Sequence, residues 1–269
     1  MNPVKWFSGS LPLNANAETR WVFLHDVHFP HHLRMDHLHK FLRDFKPHYL
    51  ILGGDIDNGD PVNHWQESNK KKAREMPLIK EHFARMNKEW IHPLLKNLPD
   101  SCSVVYQIGN HEVWYYNAIE ANPNGHGYWE PENNLDGIDM WVEAGLYVNL
   151  GRVNFMHGHN EAAGIHHAHK VVMTHAHSVR YGHCHDVQFA SRTSPIYFKE
   201  RHTARSGGCW CIIDPPFMRH RPHRWQPAFT YGRTLPNGRF HDECALSIDG
   251  NFMAEGRLYG PDNMPRRAA

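Results

Sequence analysis

Three short apolar runs, WVFLH (Trp21 to His25), HYLILGG and SVVYQIG (Ser103 to Gly109), are spaced widely enough for helices to fit between them. Apolar runs of roughly four to eight residues bounded by turn formers have the length of buried strands. The first gap holds a helical stretch from about Leu33 to Phe45, and the second an amphipathic stretch from about His64 to Leu98, broken near Pro77. Parallel strands need a crossover of about a dozen residues or more, so this order predicts an α/β sheet with helices packed on it. From Gly151 the pattern changes: RVNFMHG reads as a strand, Ala162 to His177 as a helix, and VRYGH as another strand. Further β-like stretches follow around Val187 to Ala190, Ile196 to Phe198, Cys209 to Ile213, Ala245 to Ile248 and Phe252 to Leu258. The expectation is an α/β protein of two packed mixed β-sheets with helices outside. It forms one domain over 1–269, with a surface excursion near 112–136 and a β-rich C-terminal part, 186–269.

Composition narrows the class of partner. With 29 basic and 28 acidic residues the formal charge is +1, so no global field commits the chain to nucleic acid or to a membrane surface. No apolar run nears the roughly 20 residues a spanning helix needs, and the polar first 20 residues lack a signal-peptide core, which predicts a cytoplasmic protein with no membrane partner. The five cysteines form no CxxC pair and read as reduced thiols, with Cys209 and Cys211 in the core. Histidine is the outlier, at 25 residues. Imidazole is the commonest metal ligand, but outside motifs, as at His37, His39 and His48, the expectation is a solvated surface residue. The same holds for the His-rich segment 166–177, whose rings spread around a helix.

Ligand-type residues follow the strands. Asp26-Val27-His28 follows the first, Gly53-Gly54-Asp55-Ile56-Asp57-Asn58 the second and Gly109-Asn110-His111-Glu112 the third. Open α/β sheets place their binding crevice at these carboxyl ends. Met156-His157-Gly158-His159 and Gly182-His183-Cys184-His185 end two later strands. In DVH and HCH the polar side chains are one residue apart, so in extended chain they face one pocket. Oxygen and imidazole donors suit a pair of divalent ions, which need a bridging carboxylate, and Asp55 is the choice for it. Gly54, Gly109 and Gly182 let the backbone turn tightly toward the ions.

The ordered series DVH, GDIDN, GNHE, MHGH and GHCH, spanning Asp26 to His185, resembles the calcineurin-like metallophosphoesterase superfamily, whose fold is a four-layer α/β/β/α sandwich. The resemblance implies two divalent ions, manganese first, with iron, zinc, nickel or magnesium as other occupants. It matches Asp26, His28 and His185 to one ion, and Asn110, His157 and His183 to the other. Asp55 matches the shared carboxylate. His111 matches a histidine that binds no metal and stabilises phosphoryl oxygens or protonates the leaving oxygen. Asn58 takes the last position of the second motif, leaving Asp57 without a ligand role, and His159 is a neighbour of the lone histidine. The implied reaction is in-line hydrolysis of a phosphoester.

Substrate is narrowed only in part. GDIDNGD lacks the arginine that protein serine/threonine phosphatases of this superfamily carry there, which argues against that class. Lys199, Arg201, Arg205, Arg219, Arg221 and Arg224 crowd one stretch, and Lys70, Lys71, Lys72 and Arg74 another. Such runs are usually solvated faces, but they can also track a phosphate backbone. Asn58, His159, Arg219, Arg221 and Arg224 are therefore candidate substrate contacts, with Trp114, Tyr115 and Tyr116 read as core. The favoured reading is a phosphodiesterase on nucleic acid or a nucleotide-type diester. The alternative is a phosphomonoesterase on a small metabolite, and the rival of a different class is a catalytically silent scaffold. The sequence carries no sign of oligomeric state.

Overall fold

The computed structural model describes residues 4–63, 78–193, 196, 201–216 and 218–261. In chain order the strands are β1 (Gly9–Ser10), β2 (Thr19–Leu24), β3 (Tyr49–Leu52), β4 (Ser103–Gln107), β5 (Met140–Val142), β6 (Val148–Leu150) and β7 (Val153–Met156). They continue as β8 (Ser178–Tyr181), β9 (Val187–Thr193), β10 (Arg201–Gly207), β11 (Ala228–Thr234), β12 (Phe240–Ile248), β13 (Asn251–Ala254) and β14 (Arg257–Tyr259). One mixed sheet runs β14-β13-β12-β11-β2-β3-β4-β5 and the other β1-β6-β7-β8-β10-β9. The expected pair of mixed sheets flanked by helices is therefore present.

Side chains alternate across a pleated strand, and β2 shows what that does here. Trp21 and Phe23 point inward, where they join Ile51, Val105, Val142, Leu150, Val153 and Phe155 in the core between the sheets. Val22 and Leu24 point outward, into a second core covered by α1 (Asp36–Phe45) and by the helices that precede β4. Helix α1 buries Leu38, Phe41, Leu42 and Phe45, an apolar stripe at helical spacing, and ends where Lys46 turns left-handed and donates its N–H to Leu42 O. The helices before β4 are α2 (Ile79–Met86), a π turn over Asn87–Ile91, and α3 (His92–Leu95). Residues 64–77, including the expected break at Pro77 and the basic run Lys70, Lys71, Lys72 and Arg74, lie outside the described residues. So does Lys199. Helix α4 (Asn110–Ala121) follows β4, with α5 (Pro131–Asn134) after it. Helix α6 (His167–Thr174) packs Val171 and Val172 on the outer face of the second sheet, against Val179, Tyr181 and Ala204. That completes four layers. No helix among the described residues is long and apolar enough to cross a membrane.

Three expectations need correction. Cys209 to Ile213 makes only isolated bridges, because its backbone bonds to loops instead: Trp210 N–H reaches Asp26 O at 3.0 Å and Ile212 N–H reaches His31 O at 2.9 Å. Helix α6 is shorter than 162–177, starting at His167 and ending at Thr174. A strand at 228–234 was not expected, yet β11 pairs with both β2 and β12 in the middle of the large sheet.

Register decides where the functional loops emerge. Leu24, Leu52 and Tyr106 lie side by side at the ends of β2, β3 and β4, and Met156 lies beside Tyr181 at the ends of β7 and β8. The sheets meet at this edge, where Gln107 Nε2 donates to Phe155 O at 2.9 Å. The joint depends on the core between the sheets. Phe155 is fully buried, with its ring centre 4.8 Å from that of Trp21 and 5.3 Å from that of Phe23. Replacing Phe155 with Ala should lower unfolding free energy by about 3 to 5 kcal/mol in chemical denaturation. A loss under about 1 kcal/mol would show that this ring does not hold the sheets together.

Candidate metal centre

The loops after β2 and β3 are zipped together by backbone. Asp26 N–H donates to Gly54 O at 3.0 Å, and the N–H groups of Val27 and His28 both donate to Asp55 O, at 2.9 and 3.0 Å. Gly54 is required here, since its φ is +84° and a side chain would run into His157 Nδ1, 2.7 Å from where a Cβ would stand. Gly182 has an ordinary φ, but a Cβ on it would collide with the Asp26 carboxylate, so its role is close approach.

The Glu112 carboxylate, fully buried on the first turn of α4, holds these loops to the next one. Its Oε2 accepts the N–H groups of Asp55 and Gly109 at 3.0 and 2.9 Å. Its Oε1 accepts the N–H groups of Ile56 and Asp57 at 2.9 and 3.1 Å and the Tyr106 hydroxyl at 2.8 Å. Burial and the neighbouring Asp55 charge push the Glu112 carboxyl up to about 7. Sequence reasoning gave Glu112 no role. Its partners are backbone amides, which no side-chain pattern reveals.

All seven expected ligands come together at this edge. His185 Nε2 lies 3.0 Å from Asp26 Oδ1 and 3.1 Å from His28 Nε2. His28 Nε2 is 3.9 Å from Asp26 Oδ1 and 4.0 Å from Asp55 Oδ2. On the other side His157 Nε2 lies 3.0 Å from Asn110 Oδ1 and 3.3 Å from Asp55 Oδ2, with His183 completing a group within 4.8 Å. Asp55 Oδ2 thus faces both groups, 4.0 Å from His28 Nε2 and 3.3 Å from His157 Nε2. Neighbouring ligands bound to one divalent ion at about 2.0 to 2.2 Å stand roughly 3.0 to 3.5 Å from each other, which the separations of 3.0 to 3.3 Å match, while the approaches of His28 Nε2 at 3.9 and 4.0 Å are wider. The fully buried Asp26 Oδ1 makes no aligned hydrogen bond despite its nearness to His185.

Ring orientation agrees with that use. A carbonyl only accepts, so His157 Nδ1, 2.9 Å from Gly53 O, carries a hydrogen and turns Nε2 to the site. His28 Nδ1 donates in the same way to Asn58 Oδ1 at 3.1 Å, and that amide is fixed by Asn58 Nδ2 donating to Asp60 Oδ1 at 2.6 Å. Asn58 is buried behind His28, positioned to orient that ring. His111 Nδ1 donates to Asn58 O at 2.9 Å, leaving Nε2 3.8 Å from Asp55 Oδ2.

Burial pushes the Asp26 and Asp55 carboxyls up, but adjacent imidazoles more than reverse this, His185 and His25 for Asp26 and His157 and His111 for Asp55. Both stay ionised. Burial lowers the His157 and His185 rings as well, yet Asp55 and Asp26 raise them to about 9 and about 10 respectively. His28 and His183 are held down by burial and by neighbouring imidazoles, His183 to about 4. The backbone is strained at the same place: Asp26, His28, Asp55, His183 and His185 all have φ between +49° and +68°. Non-glycine residues avoid this region, at a cost of order 1 to 3 kcal/mol each, and cluster there at functional sites.

Other residues fall variously. The His159 ring lies 5.6 Å from His157 and 6.2 Å from His183, beside the donors. Arg224 lines a small cavity with His183 and Cys184, whereas Arg219 and Arg221 are exposed and make no described contact with the donors. Trp225, which the sequence did not single out, has its ring centre 4.1 Å from that of His185 and lies parallel to the His28 ring at 6.5 Å. Asp57 is a buried joint, 2.7 Å from both His82 Nε2 and the Tyr115 hydroxyl. Tyr115 is core as expected, and the His111 and Trp114 ring centres are 4.1 Å apart. Cys209 and Cys211 are fully buried as expected, but their sulfurs group with His185. Histidines outside the motifs are not all solvated: His25, His37, His82 and His167 are buried, with His37 donating to Gly250 O at 3.1 Å and His167 lying 2.7 Å from both the Tyr181 hydroxyl and Asp186 Oδ1.

No protein-family model and no curated relative matches the chain. Among solved structures it is similar to wild-type Vps29 complexed with Zn²⁺ from Entamoeba histolytica, at 12% identity and a TM-score of 0.44, over 90% of this chain and 100% of that one. A single and a double mutant of Vps29 from the same organism align over 86% of this chain and 100% of theirs, at 12% and 11% identity and TM-scores of 0.38. At these values the likeness supports neither a fold nor a function.

The role of Glu112 is open to direct test. Glu112→Ala would leave four buried backbone N–H groups without an acceptor and should lower stability by about 3 kcal/mol or more, whereas Tyr106→Phe should cost only about 1 kcal/mol. Equal, small losses from the two in thermal or denaturant unfolding would show that the loops hold their shape without this carboxylate.

Proposed function

We propose that the chain is a dinuclear-metal-dependent phosphoesterase, acting by preference on a phosphodiester of nucleic acid or nucleotide type. The observation that carries this reading is the convergence of five motif loops on Asp55 Oδ2, which has one donor group on either side of it. The left-handed backbone at five of the donor residues adds support, because strain of that kind persists where surrounding structure imposes it for use.

In this reading Asp26, His28 and His185 hold one divalent ion, Asn110, His157 and His183 the other, and Asp55 both. Manganese is the favoured metal, with zinc, iron, nickel or magnesium as alternatives. When bound, such ions supply Lewis acidity and make hydroxide available near neutral pH. The rest is done by side chains. The bond from His111 Nδ1 to Asn58 O aims Nε2 toward Asp55 Oδ2, 3.8 Å away, where the ring groups with His28 and Asp55; in this reading it serves the ester and not the ions. Protonated there, it can give its proton to the departing oxygen of the ester. Trp225 offers an aromatic face over His28 and His185, and Arg224 a cation near His183, which together suit a base and a phosphate of a diester. A phosphomonoesterase would use the same donors and is the second reading.

Hydrolysis of bis(p-nitrophenyl) phosphate should vanish in excess chelator and return with manganese, and full activity after prolonged chelation would contradict the proposal. His111→Ala should keep its metal and lose activity by roughly 10²-fold or more on a nucleotide diester. It should lose far less on the chromogenic ester, whose leaving group departs without a proton. An equal loss on both substrates would remove the proton-donor role.

A further inference from the structure

A second, unrelated cavity lies at the other end of the second sheet. Its volume is about 830 Å³, and its lining includes Arg152, Arg180, Arg201, Arg205 and Arg239. Strands β8 and β10 run in parallel from this cavity toward the metal centre, so Ser178 and Arg201 mark one end and His183, His185 and Trp210 the other. In the sequence Arg201 and Arg205 belong to one basic stretch with Arg224. The fold separates them, since Arg224 lines the cavity beside His183.

The charge balance in this cavity is unusual. Against five guanidinium groups, Asp242 is the one carboxylate among the described lining residues. It is already engaged, accepting from Arg180 Nε at 2.7 Å and Arg180 Nη2 at 2.6 Å across the two sheets. Arg205 Nε comes within 3.0 Å of Asp242 Oδ2 but makes no aligned hydrogen bond, so a buried guanidinium donor is left over. The side chains of Arg152, Arg201 and Arg239 form no ion pair with the described residues. Rings fix the two inner guanidiniums, Arg180 over Phe240 at 5.1 Å and Arg205 over Phe189 at 5.0 Å. Phe189 remains 51% exposed on the cavity wall.

Like charges gathered without neutralising partners raise the energy of the empty protein, and a bound polyanion removes that repulsion. Planar guanidinium forks match phosphate oxygens two at a time. The volume falls in the range of small-molecule sites, about 300 to 1,000 Å³, and differs from the open track that a nucleic-acid backbone would need. We propose that this cavity binds a nucleoside polyphosphate, with its phosphates on Arg152, Arg201, Arg205 and Arg239 and its ring against Phe189. The site is separate from the metal centre, and the inference stands whether or not the proposed hydrolase activity exists.

Calorimetric titration of the full chain with ATP, tripolyphosphate and adenosine, at low salt and with chelator present, tests it. ATP should bind once per chain, tighter than tripolyphosphate, and adenosine should not bind. Arg201→Ala combined with Arg239→Ala should weaken ATP tenfold or more while leaving the melting temperature and the hydrolysis of bis(p-nitrophenyl) phosphate unchanged, both side chains being exposed. Arg152→Ala alone should weaken it several-fold, and Phe189→Ala should reduce ATP affinity to that of tripolyphosphate. Absence of ATP binding at millimolar concentration would overturn the proposal. So would binding that needs manganese and survives the arginine changes, which would place the nucleotide at the metal centre. Equal affinity for ATP and tripolyphosphate in the unmodified protein would overturn the nucleoside assignment.

Discussion

Five hydrogen-bond donors converge on the Glu112 carboxylate, four of them backbone amides from the loops that carry Asp55 and Asn110. That arrangement lets two carboxylates stand close together in a buried place. Asp55 and Glu112 repel each other, and each is compensated separately, Glu112 by amide dipoles and Asp55 by the imidazoles of His157, His111 and His28. The separation of roles follows from geometry. Glu112 faces back into the fold, where it shapes the loops, and Asp55 Oδ2 faces the donors that could share a metal ion with it. Without Glu112, the N–H groups that curve around it would need water, and the backbone that sets Asp55 at φ 50° would have little reason to stay there.

The sandwich architecture serves the same end from a longer range. β2, β3 and β4 finish in register, β7 and β8 finish in register, and the core around Trp21, Phe23 and Phe155 presses those two sets of ends together. No single sheet carries all the donors: Asp26, His28, Asp55 and Asn110 come from one, and His157, His183 and His185 from the other. A site divided in this way responds to any loss of packing between the layers, because a small sliding of one sheet on the other changes every distance across Asp55.

The donors were legible in the sequence because each sits within a few residues of a strand end, in a motif whose spacing survives without tertiary information. The first strands were legible for a similar reason: an uninterrupted apolar run of the right length has few other uses. What escaped were features whose partners lie far along the chain. Strand β11, with Thr230, Gly232 and Arg233 in it, lacks an apolar run and is placed by pairing with β2 and β12. The Cys209 to Ile213 stretch has the composition of a strand, but its hydrogen bonds go to the loops at Asp26 and His31. His167 looked like one of several solvated rings on a helix until Tyr181 and Asp186, 14 and 19 residues away, closed around it. Trp225 carries no motif, and its place over His28 and His185 follows from the path of a loop.

In the proposed centre Asp55 lies between two ions held by Asp26, His28 and His185 on one side and Asn110, His157 and His183 on the other. Anomalous diffraction from manganese-loaded crystals, collected on both sides of the manganese edge, measures this without reference to activity. Two anomalous peaks per chain are expected, about 3.5 to 4 Å apart, flanking Asp55 Oδ2, with Asp26, His28 and His185 around one and Asn110, His157 and His183 around the other. A single peak, or strong peaks only elsewhere, as at His167, Cys184 and Asp186, would contradict it.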